Sequence, residues 1–237
     1  MHMPEALIAE NEPAGGVYRR IVVRRADAQA QQAMLSRYRR PGQYVLLRTQ
    51  GDEQANYFAI ARAPVDSADG FEFLVKPEGA VAETLGRLAA GTVVEMSDPV
   101  GDGYPLERAK GRDLLILAAG SGIGPLRALI DELRQSRDDF GFVRLYYGQA
   151  QPDEFAYRNW LAALPESGVE VTLVASKPSI DHRGPMGYVQ DVADTDANFA
   201  ASSRLVVAMC GMPAMERAAR QRLAARGVAV DRILTNL

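Results

Sequence analysis

The strongest chemical signal in the sequence is a glycine-rich turn. Residues 114–119 form an unbroken apolar run, and Gly120-Ser121-Gly122-Ile123-Gly124-Pro125 follows directly. An apolar run of this length suits a strand buried on both faces. The glycines let backbone approach a ligand closely, and the helix expected after Pro125 would offer free N–H groups and a partial positive charge. Together these make an anion site suited to the phosphates of a nucleotide. A tight strand-to-helix turn would not need three alternating glycines. Two common nucleotide-site patterns fit poorly. The dehydrogenase fingerprint G-x-G-x-x-G wants its third glycine one residue later and an acid about 20 residues on, whereas the next strand ends Leu145-Tyr146-Tyr147-Gly148-Gln149. A methyltransferase would want an acid closing the strand before the glycines, and that strand is wholly apolar.

The inventory of reactive side chains is short. The chain has 237 residues, one Cys (Cys210) and two His (His2 and His182). That excludes a chain-encoded four-Cys iron–sulfur site, a zinc finger and a disulfide scaffold, and no metal site is expected. It also argues against a Ser-His-Asp hydrolase. Any redox or group-transfer chemistry must therefore come from a bound organic cofactor. Lys and Arg number 27 against 30 Asp and Glu, a net charge of −3, so no strong field favours nucleic acid. With 47% hydrophobic and 24% charged residues the composition is that of a globular chain. No basic, apolar leader opens the sequence and no run suffices for a membrane span, so a cytoplasmic location is expected.

The elements that would position these residues fall into two halves. Up to about residue 105, strands are expected at 17–25, 44–49, 57–61, 71–76 and 92–97, separated by Pro41-Gly42, Gly51-Asp52, Asp69-Gly70 and Gly91. Their close spacing predicts an antiparallel barrel or sandwich, with one helix over 81–90. Beyond residue 112, strands at 114–119, 142–147, 169–174, 205–209 and 228–234 alternate with helices at 125–133, 153–164 and 212–225 and a short one after 187. That pattern predicts a doubly wound parallel sheet. The expected domains are 1–105, an antiparallel β-barrel, and 112–237, an α/β domain.

Six motifs taken in order resemble the ferredoxin–NADP reductase superfamily of flavin-dependent reductases, from about residue 16 onward. Pro41-Gly42-Gln43-Tyr44 is similar to its P-G-Q-[YF] opening of a barrel strand, and Tyr57-Phe58-Ala59-Ile60-Ala61 lies where the family has R-x-Y-[ST]-[IL]-[AS]. Gly79-Ala80-Val81-Ala82 resembles the phosphate-binding helix start, and Asp98-Pro99-Val100-Gly101 the motif that closes the barrel. Gly120 to Pro125 resembles the nicotinamide nucleotide loop, and Cys210-Gly211-Met212 opens a segment similar to C-G-P-x-x-M.

The resemblance implies an FAD-binding barrel followed by an NAD(P)-binding domain. It implies hydride transfer from NADPH or NADH to flavin N5 and electron delivery to an acceptor protein or small molecule. Carried over residue by residue, it places flavin against Gln43, Tyr44, Asn56, Tyr57, Phe58, Ala59, Ile60, Val75, Lys76, Gly79, Ala80, Val81 and Ala82. Nicotinamide nucleotide falls on Gly120 to Pro125, Ser176, Lys177, Arg183, Cys210, Gly211 and Met212. Cys210 and Ala59 flank the reacting rings, and Tyr188 frames the nucleotide site. Ser176, Lys177 and Arg183 tilt the expectation toward NADP over NAD. Departures are visible: Asn56 stands for the family Arg, Phe58 for Tyr, Ala59 for Ser or Thr, and Ala82 for a hydroxyl residue. Arg62 or Lys76 could supply the missing charge. Leu237 offers no aromatic ring to cover the flavin. The alternative is a fold-retaining nucleotide- or partner-binding module that has lost flavin. Gly122→Asp is expected to abolish nucleotide binding without unfolding the chain.

Overall fold

The computed structural model describes residues 3–178, 180–195 and 204–236. His2 and Leu237, named above, lie outside the described residues.

The first half is a six-stranded antiparallel sheet in the order β4-β3-β6-β1-β2-β5. Its strands are β1 (Glu5–Gly15), β2 (Tyr18–Arg24), β3 (Tyr44–Thr49), β4 (Asn56–Ala59), β5 (Phe71–Val75) and β6 (Val93–Met96). The two ends of this order meet where Ala61 N–H, just past β4, donates to Glu72 O on β5 at 2.8 Å. Alternate side chains point inward, with Ile8, Ile21, Val23, Val45, Leu47, Phe71, Phe73, Val94 and Met96 filling the barrel. Helix α2 (Ala80–Arg87) caps that core with Val81, Ala82 and Leu85. Asn11 holds its far end by donating to Leu88 O at 2.7 Å and Leu85 O at 3.1 Å.

The second half is a parallel sheet in the order β11-β10-β7-β8-β9. It comprises β7 (Asp113–Ala119), β8 (Val143–Gln149), β9 (Val169–Ala175), β10 (Leu205–Cys210) and β11 (Ile233–Leu234). The apolar β7 run divides by alternation. Leu114, Ile116 and Ala118 join one core, while Leu115, Leu117 and Ala119 join another on the opposite face. Helices α3 (Ile123–Arg134) and α4 (Arg158–Ala163) cover the first face, and α5 (Val189–Asp194) and α6 (Pro213–Ala225) the second. This is the doubly wound arrangement expected from the alternating pattern. No helix among the described residues is long and apolar enough to cross a membrane.

Four elements differ from the sequence reading. Strand β1 went unread because its polar stretch Glu10-Asn11-Glu12 lacks an apolar alternation, yet it pairs with both β2 and β6. Helix α1 (Ala28–Leu35) buries only Met34, so it carries no amphipathic stripe; its local signal is Asp27, whose side chain accepts from Ala30 N at 2.7 Å. The helix expected over 153–164 is interrupted at Tyr157, which is left-handed at φ 58°. Of the strand expected over 228–234, only Ile233 and Leu234 pair, with Val207 and Ala208; a 3-10 turn takes up Val230–Arg232.

The halves are joined by buried side chains. Tyr18, Leu74 and Tyr104 leave the barrel side to pack in the α/β core. Glu72 on β5 has no exposed side-chain surface. Its carboxylate is met by Arg20 Nε at 2.8 Å, Arg62 Nε at 3.1 Å, Arg127 from α3, and the Tyr157 hydroxyl at 3.0 Å. Arg62 is thus committed to this hub.

Candidate functional site

A cleft of about 480 Å³ separates the two halves. Its barrel-side wall is β4, the end of β5 and the start of α2. Its other wall is the glycine turn after β7 and the segment Cys210-Gly211-Met212 after β10. A second chamber of about 390 Å³ continues past the tips of β8 and β9, toward Ser176, Lys177, Tyr188 and Gln190. Tyr18, Lys76, Ala119, Gly120 and Met212 line both chambers, so the two form one groove with a waist. Both volumes lie within the range of about 300–1,000 Å³ usual for ligand pockets. The location is the crevice beyond the carboxyl ends of parallel strands, where open α/β sheets take ligands.

Two helix starts face this groove region, α2 directly and α3 through the 3-10 turn Gly120–Gly122 that leads into it. Neither α2 nor α3 has a side-chain cap at its N-terminus. The first N–H groups of a helix have no partner within it, so both starts favour an anion. Gly79 turns the chain into α2 at φ 84°, a backbone that glycine adopts without strain. Ser121 is the exposed hydroxyl of the glycine turn. Gly122 has an ordinary φ of −60°, and its constraint is space instead. A Cβ there would lie 2.3 Å from Cys210 O and 2.6 Å from Cys210 C. This close contact locks the turn onto the end of β10, and it corrects the expectation that Gly122→Asp leaves the fold untouched.

At the waist, Tyr18 donates to Gln149 Oε1 at 3.2 Å, and Gln149 Nε2 donates to the Tyr147 hydroxyl at 2.6 Å. Burial raises the Tyr18 pKa above its ordinary value, against the lowering influence of Gln149 and Lys76, so the phenol stays a neutral donor. Lys76 pairs with Glu78 at 2.5 Å, and that contact raises its pKa. The groove therefore presents an ammonium paired with a carboxylate, since Glu78 lines the same cleft.

Cys210 sits at the cleft end of β10, above Tyr104. The Tyr104 hydroxyl donates to Met209 O at 3.2 Å and fixes the strand end from below. Burial, reinforced by Glu216, pushes the Cys210 thiol up to about 12. A thiol in that range is neutral near pH 8 and a poor nucleophile. Iodoacetamide at pH 8 should alkylate Cys210 in the folded protein roughly a thousandfold more slowly than in the urea-unfolded chain. A native rate near that of the free thiol would contradict this environment.

The sequence-expected residues divide clearly. Asn56, Tyr57, Phe58, Ala59, Val75, Lys76 and Ala82 line the cleft from the barrel side. Gly120, Ser121, Gly122, Gly124, Pro125, Cys210, Gly211 and Met212 line it from the other. Ser176 and Lys177 line the second chamber. The remainder are not lining residues. Gln43 spends its amide on Arg39 N (2.7 Å), Arg40 N (3.1 Å) and Gly101 O (3.1 Å), pinning two loops together. Tyr44 packs edge-on against Tyr57. Ile60 and Ile123 are fully buried, and Val81 points into the barrel core. Gly79 and Ala80 are exposed at the α2 start, and Arg183 is exposed outside both chambers. Sequence reasoning missed Tyr18, Leu74 and Gln149. Their only local signal is a polar or bulky residue at a strand or helix end.

The architecture defines a class: an antiparallel barrel joined to a doubly wound parallel sheet across a groove. Residues 116–221 match the family model of the oxidoreductase NAD-binding domain. The chain is 33% identical over 208 residues to the fruit protein pKIWI502 of Actinidia deliciosa, an alignment covering 82% of this chain and 65% of that protein. It is 28% identical over 191 residues to the toluate 1,2-dioxygenase electron transfer component of Pseudomonas putida, covering 79% and 55%. It thus spans between about half and two thirds of these relatives. Among solved structures it is similar to a ferredoxin NADP+ reductase from Neisseria gonorrhoeae with bound FAD and NADP, with a TM-score of 0.82, 20% identity, and coverage of 99% and 98%. Residues 116–221 thus match an oxidoreductase NAD-binding domain, and the whole chain has the two-part fold of that reductase structure.

Proposed function

We propose that the chain is a flavin-dependent NAD(P)H oxidoreductase that takes hydride from NAD(P)H to FAD and passes electrons to an external acceptor. The observation that carries this reading is the continuous groove, whose waist at Tyr18, Lys76 and Gly120 joins a barrel-side chamber to a nucleotide-side chamber. Bound flavin would accept two electrons from a nicotinamide and release them singly or in pairs, the chemistry the chain's own residues lack.

The residues present fit that group. Phe58 and Tyr57 offer aromatic surface for a planar ring system. The uncapped start of α2 offers backbone N–H groups to a pyrophosphate, and Lys76 adds charge. These compensate for Asn56, which brings no charge, and for Ala59 and Ala82, which bring no hydroxyl. Cys210, neutral and soft, shapes the nicotinamide side without entering covalent chemistry. In the second chamber, Ser176 and Lys177 favour the 2′-phosphate of NADPH; among the described residues Lys177 has no acidic partner. The single Cys cannot hold a four-thiolate cluster, so electrons leave for an acceptor outside these 237 residues.

The second reading is a nucleotide-binding module without flavin, which the loss of side-chain contacts at Asn56, Ala59 and Ala82 favours. The visible spectrum separates the two. The reductase reading expects one FAD per chain after reconstitution and NADPH to bleach its bands faster than NADH. A protein that stays colourless with excess FAD would overturn it.

A further inference from the structure

Neither Glu72, Arg127 nor Tyr157 lines the groove, yet each connects its two walls. Glu72 lies on β5, which delivers Leu74, Val75 and Lys76 to the cleft. Arg127 lies on α3, the helix that the glycine turn opens into. Tyr157 lies in the α/β half but is held by the barrel in two ways. Its N–H donates to Ala14 O at 2.8 Å, and its hydroxyl donates to Glu72 Oε1 at 3.0 Å. Its ring carries the Arg127 guanidinium 4.4 Å from the ring centre.

The backbone at Tyr157 shows that these contacts are demanding. It is the one non-glycine residue with positive φ among the described residues, at 58°. A tyrosine in the left-handed region is strained and persists only where its surroundings over-determine it. The barrel partner approaches as closely as backbone allows: a Cβ on Gly15 would come 2.4 Å from Phe155 O. Strain, a buried carboxylate and a glycine-only approach therefore coincide at one seam.

We propose that Glu72, Arg127 and Tyr157 form an interdomain clasp that fixes the spacing of the two groove walls, and so positions nicotinamide against flavin. The second clause rests on the reductase reading above. The three are positioning residues, since none touches either chamber. Holding reactants at near-attack distance is worth large rate factors, and small displacements forfeit them. The clasp makes the groove preformed: ligands enter and leave it with the two halves held in register.

The test compares the full chain with Tyr157→Phe, which removes one hydroxyl, and Glu72→Gln, which keeps the shape and removes the charge. Amide exchange without ligands is the first readout. The Tyr157 N–H, bonded across the seam, should exchange at least about tenfold faster in both variants, while β7 amides keep their protection. Flavin reduction by NADPH is the second. The limiting rate constant should fall about tenfold or more while the half-saturating NADPH concentration stays within about twofold and FAD content is unchanged. Unchanged exchange, an unchanged rate constant, or rate and affinity falling together would each overturn the clasp. If the wild-type chain is not reduced by NADPH at all, the reductase reading fails. Exchange then decides the clasp alone, with faster Tyr157 exchange supporting it and unchanged exchange overturning it.

Discussion

Gly122→Ala should cripple nucleotide binding and lower stability together, although it adds a single methyl group. The backbone at Gly122 is ordinary, so no conformational freedom is lost. The obstacle is that the new Cβ would stand 2.3 Å from Cys210 O and 3.0 Å from Gly211 N. Both are main-chain atoms and cannot rotate away. Cys210 is paired in register with Ala118 of β7, and the preceding Ala208 with Leu234 of β11, so β10 resists displacement. The glycine turn must move instead, carrying the N-terminus of α3 away from the cleft. Overpacking of this kind costs about 1–3 kcal/mol. Loss of the phosphate-facing donors should weaken NADPH binding by more than about tenfold. Urea unfolding and a fluorescence titration of NADPH measure the two effects. Wild-type stability together with wild-type affinity would show that the turn is not seated on β10.

Glu72→Leu should be the most destabilising single change at the seam. The carboxylate is wholly buried and meets three guanidinium groups and one hydroxyl. Leucine matches some of the volume but accepts no hydrogen bond. Arg20 retains Glu10, and Arg127 retains Asp131 at 3.6 Å. Arg62 keeps only a 3.3 Å donation to Asp66 O. Breaking one side of a buried ion cluster leaves uncompensated charge and typically costs about 3–5 kcal/mol. Urea denaturation followed by fluorescence measures it, and a loss below about 1 kcal/mol would place the hub among weak surface pairs.

Sequence and structure agree best where the physics is local. The β7 run and its glycines are contiguous, so strand, turn and helix start could be read together, as could Gly79 ahead of α2. The seam was illegible for the opposite reason. Glu72 and Arg127 are 55 residues apart, and Tyr18 and Gln149 are 131 apart. No periodicity marks such pairs. Tyr157 sits inside a segment with helical composition, yet it is left-handed where it meets Ala14 and Glu72 of the barrel. Gln43 lies outside the groove lining, and its amide braces two loops instead. Arg183 lies outside the groove lining because its loop carries it out onto the exposed surface.

The most direct measurement is an anaerobic titration of the FAD-loaded chain with NADPH, followed in the visible flavin bands. Electron flow through one groove predicts that the bands bleach fully at about one equivalent of NADPH per bound FAD, and that they recover when an acceptor dye is added. Flavin that binds but keeps its oxidised spectrum in excess NADPH and NADH would contradict it.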